Sequence, residues 1–385
     1  MTSSHPELGR RVALVANPSA DLYGSDRMLL ETVRGLGELG WTVVVAASQS
    51  GPLDRELLAA GASVEVCPAP VVRRANLSPR GMVRLAVDVL RGVPAMVRLV
   101  RRVRPDVVYV NTVTIPFWLV VTRLLRIPTA IHIHEAEGAS SAVARYGLTV
   151  PTRLATRVIC NSTTSLEVAA RSGGRRSRMQ VIPNGVAGPD RVEPPRDSVV
   201  DPRLLFVGRL SPRKGVDVAV RALSALRRDG TAASLDIVGA VFPGYEWYES
   251  ELRDLVRAEG LTDVVRFHGF TPDVWPHLRQ ADVVLVPSRA EESFGNGVIE
   301  AALSARPVVV SDHTGLKEAA AHLEAAVAVP ADRPEAVAEA VRGLLQQWPQ
   351  TRAKALRDAD ESAERYHPAR YRRAVSAVLE DLGSG

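Results

Sequence analysis

Two doubly wound α/β domains are what this sequence predicts, and three observations carry the prediction. Short apolar runs rich in Val, Ile and Leu alternate with longer stretches whose apolar residues recur at helical spacing, the pattern of parallel strands joined by crossover helices. The alternation begins near residue 11 and begins again at residue 203, after a segment rich in proline and charge at 188–202. A length of 385 residues gives each half enough chain for its own core.

Arg11 to Ala16 reads as the first buried strand, followed by a loop at 17–24, a helix from Met28 to Leu39 and a strand from Trp41 to Ala46. This β-loop-α-β start is the first unit of a doubly wound sheet. Ser63–Val66, Asp106–Val110, Thr129–His132 and Arg157–Cys160 are further strands with helical stretches between them, and the turn Ile182-Pro183-Asn184-Gly185-Val186 closes this half. In the second half the order is a strand from Arg203, a helix Val216–Arg228 and the strand Ser234–Gly239. A helix Tyr248–Glu259, a strand Val264–Gly269, a helix Val274–Gln280 and a strand Val283–Val286 come next. A helix Val298–Ser304 is stopped by Pro307; strands Val308–Ser311 and Ala326–Val329, a helix Pro334–Gln347 and a helical tail Thr351–Leu382 complete the chain.

The totals exclude several classes. Hydrophobic content of 46% and charged content of 24% are ordinary for a soluble globular protein. Cys67 and Cys160 make neither a disulfide framework nor a metal-ligand spacing, which fits a reducing cytoplasm. The opening residues MTSSHPELGRR lack the apolar stretch of a signal peptide, and the apolar region 107–133 is broken by Asn111, Arg123 and Arg126 too soon for a membrane span. The net charge of +5 is unevenly placed: residues 1–187 hold 23 arginines and 13 acids, net +10, and the remainder 25 basic and 30 acidic residues, net −5. From 71 to 104 there are nine arginines and one acid, Asp88. That segment could meet anionic lipid at the inner face of a membrane or a phosphate-bearing acceptor, and it also reads as a solvated helix face. It has no interleaved aromatics, which argues against nucleic acid.

Between the strand Val283–Val286 and the helix Val298–Ser304 lies the loop Glu291-Glu292-Ser293-Phe294-Gly295-Asn296-Gly297. A strand that empties through such a loop into a helix aims backbone amides and the positive end of the helix dipole at a ligand. Gly295 and Gly297 let the main chain come close. Acids in an anion-friendly pocket suit sugar or ribose hydroxyls better than phosphate, and the combination suggests a nucleotide sugar. Seven residues separate Glu292 from Glu300, which we place in the first turn of the helix. This E-x7-E, with Phe294-Gly295 two and three residues after the first acid, resembles the donor loop of glycosyltransferase family 4. Those are retaining enzymes of the two-Rossmann-domain, or GT-B, type. Glu291 offers a second register, which the spacing resolves toward Glu292; Ser293 and Asn296 depart from the Gly and aliphatic residue frequent in the family.

Other segments extend the resemblance over nearly the whole chain. Gly208-Arg209 with Lys214-Gly215 resembles the family's G-R-x4-K-G, whose two cations meet the charge that grows on a departing diphosphate. Lys214 is one of three lysines beside 45 arginines, so its choice is not compositional. His268-Gly269-Phe270-Thr271 matches the loop beside the nucleobase, and Gly315-Leu316-Lys317-Glu318 the G-x-x-E segment. Tyr23-Gly24-Ser25-Asp26-Arg27 stands where the family has Gly-Gly-x-Glu-Arg, with Tyr23 in place of the first glycine; Ser25 or Asp26 also reads as a helix cap. Ile131-His132-Ile133-His134-Glu135 resembles the family's strand-end His-Asp, and the alignment favours His134. Alternation along the strand is expected to bury one histidine and present the other. A metal site from His132, His134 and Glu135 is the rival reading, without an evident fourth ligand.

The resemblance implies an α/β fold of GT-B type, two Rossmann-like doubly wound domains facing an interdomain cleft. Residues 1–187 would bind the acceptor, 188–202 link, 203–365 bind the nucleotide sugar, and 366–385 form a terminal helix returning to the N-terminal domain. It implies transfer of a sugar, with retained configuration, from a nucleotide-diphosphate sugar to a hydroxyl of a glycan, lipid-linked or small-molecule acceptor. Arg209, Lys214, Glu292 and His134 would be catalytic. Gly24, Gly208, Phe270, Phe294, Gly295, Asn296, Gly297 and Glu300 would bind the donor, and Asp26 and Arg27 the acceptor. No cofactor or metal is expected; the one D-x-D, Asp358-Ala359-Asp360, lies in the helical tail. A nucleotide-sugar epimerase of the same fold and a non-catalytic nucleotide-sugar-binding module are the alternatives.

Overall fold

The computed structural model describes residues 11–20, 24–72, 78–135, 142–242 and 244–384. The opening residues, Tyr23 and residues 73–77 of the basic segment lie outside the described residues. The chain divides into two compact units, 1–185 with 368–385, and 186–367.

The first unit is built on a seven-stranded parallel sheet of β1 (Val12–Asn17), β2 (Thr42–Ala47), β3 (Ser63–Val66), β4 (Val107–Val110), β5 (Thr129–Ile133), β6 (Arg157–Cys160) and β7 (Met179–Val181). Their order is β3-β2-β1-β4-β5-β6-β7. All four residues of β4 are 0% exposed, as expected of a parallel strand covered on both faces. The crossovers hold α1 (Gly24–Glu38), α2 (Pro52–Ala59), α3 (Pro79–Val103), α4 (Phe117–Leu124), α5 (Ala142–Thr149) and α6 (Thr163–Arg171). Leu29, Leu36, Leu53 and Leu57 close one side of the sheet, and Met96, Val100, Trp118 and Leu119 the other. The helix predicted from Met28 begins four residues earlier, so Gly24 to Arg27 form the first turn of α1 rather than a loop. The buried Asp26 anchors that turn, as described below.

The second unit carries a six-stranded parallel sheet, β8 (Arg203–Val207), β9 (Ser234–Val238), β10 (Val265–Gly269), β11 (Val283–Val286), β12 (Val308–Ser311) and β13 (Ala326–Val329), in the order β10-β9-β8-β11-β12-β13. Its helices are α7 (Val216–Arg228), α8 (Glu246–Ala258), α9 (Trp275–Gln280), α10 (Asn296–Leu303), α11 (Thr314–Ala320), α12 (Pro334–Gln346) and α13 (Trp348–Arg365). The segment 188–202 is not a loose tether: it is strapped to this unit. Arg196 pairs with Asp282 and Asp201, the Trp348 indole donates to the Arg196 carbonyl, and Arg352 donates to the Pro195 carbonyl.

The helical tail breaks at Tyr366-His367. Pro368 has no N–H to continue a helix, and its fixed φ suits the first position of the next one. That next helix, α14 (Pro368–Gly383), packs on α1 in the first unit. Tyr371, Val375, Leu379 and Leu382 join the core there, Tyr371 Oη lies 2.9 Å from Thr32 Oγ1, and Arg372 pairs with Glu31 at 2.6 Å.

Candidate active site

In a parallel doubly wound sheet, ligands sit at the carboxyl edge where the strand order reverses. In the second unit that point lies between the neighbours β8 and β11, whose crossovers leave in opposite directions. The two loops there are those the sequence singles out, 208–215 after β8 and 287–295 after β11.

Gly215 explains how they meet. It has φ +66°, and a Cβ on it would lie 2.0 Å from the Pro287 carbonyl oxygen, so only glycine lets the first loop lie against the second. Arg289 secures the contact. Its backbone N–H donates to the Arg213 carbonyl at 2.8 Å, and its guanidinium forks onto Asp217 at 2.6 and 2.5 Å and reaches Asp332 at 2.8 Å.

The outcome is a pair the spacing alone could not give: Lys214 Nζ stands 2.5 Å from Glu292 Oε1. Ser288 Oγ donates to the same oxygen at 2.7 Å, and Arg213 lies 3.8 Å away. Burial pushes the Glu292 carboxyl up, but Lys214, Arg213 and the Ser288 hydroxyl outweigh it and hold the group below its usual range. A Cβ on Gly315, in α11, would lie 1.7 Å from the Glu292 carbonyl oxygen, which is why the G-x-x-E segment opens on glycine.

Arg209, on the same loop as Lys214, lies over the Phe242 ring, its guanidinium carbon 3.5 Å from the centroid. Gly208 is tied to β9 through its N–H and the Val238 carbonyl. Gly295 caps α10 with φ +86°, and Asn296 and Gly297 form its first turn. The Cβ position of Gly297 lies 4.0 Å from the Val207 carbonyl oxygen, so the start of α10 abuts the end of β8. Glu300, read as a first-turn residue, is the fifth residue of α10, because the helix begins at Asn296 rather than Val298.

Two aromatic assignments divide. Phe270 follows the edge strand β10 and is 64% exposed. Phe294 is 8% exposed and packs edge-to-face on Tyr366 at 5.8 Å. Its side chain is core, which leaves its main chain for the donor contact that the resemblance implies.

In the first unit the reversal lies between β1 and β4. Asp26, expected to meet the acceptor, is 2% exposed, and its Oδ1 accepts from Asn17 Nδ2 at 2.9 Å and Ser19 Oγ at 3.1 Å. It braces the loop, a correction to that expectation, while the neighbouring Arg27 is exposed and Gly24 opens α1.

The histidines divide as expected, one buried and one partly open, but for another reason. His132 and His134, two apart, lie on one face of β5 with ring centroids 3.9 Å apart, so alternation does not separate them. Depth does: His132 is 0% exposed beside Tyr109 Oη at 2.6 Å, whereas His134, past the end of β5, keeps part of its surface open. Burial holds both rings neutral, His134 at about 3. Glu135 is engaged by the Thr112 hydroxyl and by the His134 N–H. No cluster of three or more His, Cys, Asp or Glu able to hold a metal occurs among the described residues. Asp358 of the D-x-D accepts from the N–H groups of Glu324 and Ala325, both at 2.8 Å, a fastening of α13 to the chain before β13.

Sequence reasoning missed Asn17, Asn111, Ser288, Arg289, Asp217 and Phe242. Only Ser288 and Arg289 carried a signal, their place between a buried strand and the acidic loop.

Comparison with known proteins agrees with this fold. A sequence model described as Glycosyltransferase Family 4 matches residues 23–187, and one described as Glycosyl transferases group 1 matches residues 201–347. The D-inositol 3-phosphate glycosyltransferase of Saccharomonospora viridis is 37% identical over 194 residues, 48% of this chain and 43% of that protein. The glycogen synthase of Mycobacterium tuberculosis H37Rv is 29% identical over 277 residues, 66% of this chain and 64% of that one. The chain thus spans less than two thirds of these curated relatives. Among solved structures, Anabaena Alr3699/HepE in complex with UDP-glucose superposes with a TM-score of 0.79 at 20% identity, covering 96% of this chain and 99% of that one. WaaG, a glycosyltransferase involved in lipopolysaccharide biosynthesis, gives 0.70 at 17%, covering 97% and 100%. The fold is of the GT-B type, and with both sequence models matching in chain order the protein belongs to glycosyltransferase family 4.

Proposed function

We propose that the protein is a retaining glycosyltransferase that moves a sugar from a nucleotide-diphosphate sugar to a hydroxyl acceptor, in glycan, glycolipid or cell-envelope polysaccharide synthesis. The observation that carries this reading is the Lys214–Glu292 pair beside the start of α10, at the strand-order reversal of the second sheet. Arg209 and Lys214 hold the diphosphate, so that charge growing on the leaving oxygen meets cations already in place. Losing one such preorganised donor costs about 3–4 kcal/mol in the transition state. Glu292 orients the sugar with the amides of residues 294–297, Glu300 holds the ribose and Phe270 stacks on the base; in the first unit, His134 takes a sugar hydroxyl. The acceptor oxygen attacks on the face from which the diphosphate departs. The anomeric carbon–phosphate oxygen bond breaks as the new glycosidic bond forms, and the departing oxygen takes the hydroxyl proton.

The two cations do the work a metal would do, so activity undiminished by EDTA is expected, and a strict Mn²⁺ requirement counts against the scheme. A thermal-shift panel of UDP, GDP, ADP and TDP, then of their sugars, identifies the donor; HepE was crystallised with UDP-glucose, so UDP-glucose comes first. Glu292→Ala is then expected to keep nucleotide binding and lose most turnover. Turnover surviving in that variant, or donor isomerised without an acceptor, refutes the assignment.

A second reading concerns location. No described helix is long and apolar enough to cross a membrane. In the first half of α3, however, Met82, Val83, Val87 and Leu90 are 56, 66, 39 and 75% exposed, beside the exposed Arg80, Arg84 and Arg91. We propose that this face rests on an anionic membrane surface, the apolar stripe in the headgroup layer and the guanidiniums on phosphate. Co-sedimentation with phosphatidylglycerol vesicles that weakens in salt is expected; indifference to lipid charge and to salt removes the idea.

A further inference from the structure

The ends of β1, β4 and β5 are joined by a chain of side-chain amides whose direction is fixed. Asn17 Nδ2 donates to the Ser19 carbonyl at 2.7 Å and to Asp26 Oδ1 at 2.9 Å. A backbone carbonyl has no hydrogen to give, so the Asn17 amide cannot be turned over, and its oxygen must face the other way. There it accepts from Asn111 Nδ2 at 3.0 Å. Asn111 Nδ2 spends its second hydrogen on the Ser25 carbonyl at 3.1 Å, so this amide is fixed too. What Asn111 turns toward His134 is therefore its oxygen, 3.0 Å from His134 Nε2. The Tyr109 hydroxyl, 3.3 Å away, donates to that same oxygen. An amide oxygen only accepts, so His134 Nε2 carries the hydrogen.

We propose that Asn17 and Asn111 are positioning residues that lock His134 in its Nε2–H tautomer, so that the histidine meets its ligand through the bare Nδ1 as a hydrogen-bond acceptor. The group it takes is then a hydroxyl that can donate, as on a sugar, and not a phosphate or carboxylate oxygen. The ring has no second proton to offer, since burial holds its pKa at about 3. Only the identity of the ligand rests on the glycosyltransferase reading; the tautomer stands or falls without it. Because two backbone carbonyls set the direction, the lock needs no bound substrate.

The test is a long-range ¹H–¹⁵N spectrum of the full-length, ligand-free protein labelled in histidine, with His134 assigned by its loss in His134→Gln. Expected is a single form with protonated Nε2 and a pyridine-like Nδ1, unchanged between pH 7 and pH 5. An Nδ1–H form as a major species, or conversion to imidazolium over that interval, overturns the proposal. Asn111→Ala removes the acceptor, and a second set of signals from the Nδ1–H form is expected. Asn111→Asp keeps the volume and sets a carboxylate against Nε2–H, which is expected to raise the His134 pKa into the observable range. A His134 spectrum identical to wild type in a folded variant of either kind overturns the relay. Transferase activity enters none of these readings, so failure of the tautomer and failure of the functional assignment are separately visible.

Discussion

The pair between Lys214 and Glu292 makes a quantitative claim. At 2.5 Å, two unit charges attract by about 6–7 kcal/mol at an effective dielectric constant of about 20, and by about 1.7 kcal/mol in water. Their side chains are 23% and 12% exposed, so the pair belongs nearer the first figure. The exposed pair Arg171–Glu167, at 80% and 42%, belongs with surface bridges worth about 0–1 kcal/mol. Desolvation and the ordering of the lysine stem subtract from the attraction, leaving a coupling of about 2–4 kcal/mol. A double-mutant cycle with Lys214→Met and Glu292→Gln measures it, read by hydrogen-exchange protection of core amides in β8 and β11. The sign with pH follows from the depressed carboxyl. Its contribution is complete above the ordinary value of 4.5 and is lost as pH falls through the lower folded value. The coupling is therefore expected at pH 7 and should shrink once acid protonates Glu292. A coupling under about 0.5 kcal/mol, or one that survives that protonation, refutes the reasoning.

Three further outcomes are expected. Phe242→Leu removes the surface under Arg209, and a loss of about 0.5–2 kcal/mol, roughly 2- to 30-fold in nucleoside-diphosphate affinity by calorimetry, should follow with little change in melting temperature. Gly315→Ala must displace the Glu292 main chain; a folded variant with turnover down about 10²-fold, and nucleotide binding largely kept, is expected from steady-state kinetics. Arg306, 3% exposed with its pKa lowered by burial to about 10, donates to the carbonyls of Leu278, Glu193, Ser304, Ala305 and Arg279. Arg306→Met orphans these oxygens and should cost about 3–5 kcal/mol in denaturant unfolding.

How much of this was legible in the sequence depends on how local each cause is. The strands Val283–Val286 and Val308–Ser311 fall where their apolar runs place them, because a parallel strand buried on both faces needs only its own residues to declare itself. The Glu292 loop was legible for a similar reason: a strand, a glycine-bearing turn and a helix are contiguous. Helix starts were less so. Gly24–Arg27 and Asn296–Gly297 are poor helix formers alone, and both turns are helical because a buried Asp26 and the left-handed Gly295 set their first turns.

The partners across the sheet were not legible at all, since nothing in Asn17 announces Asn111, 94 residues on, nor in Asp217 the Arg289 that pins the loop after β11. Alternation along β5 could not tell the two histidines apart, since residues two apart point the same way. His132 and His134 share a face, and what separates them is whether the strand has ended, a property of the neighbouring chains β4 and β6. The same distinction sorts the two phenylalanines. Phe270 follows the edge strand β10, while Phe294 lies between α10 and Tyr366. A motif therefore fixes which backbone reaches the ligand; which side chains follow it there is decided by packing from distant parts of the chain. That is why the loop between Glu292 and Glu300 could be located by spacing alone, whereas the surroundings of His134 depend on amides at the ends of two other strands.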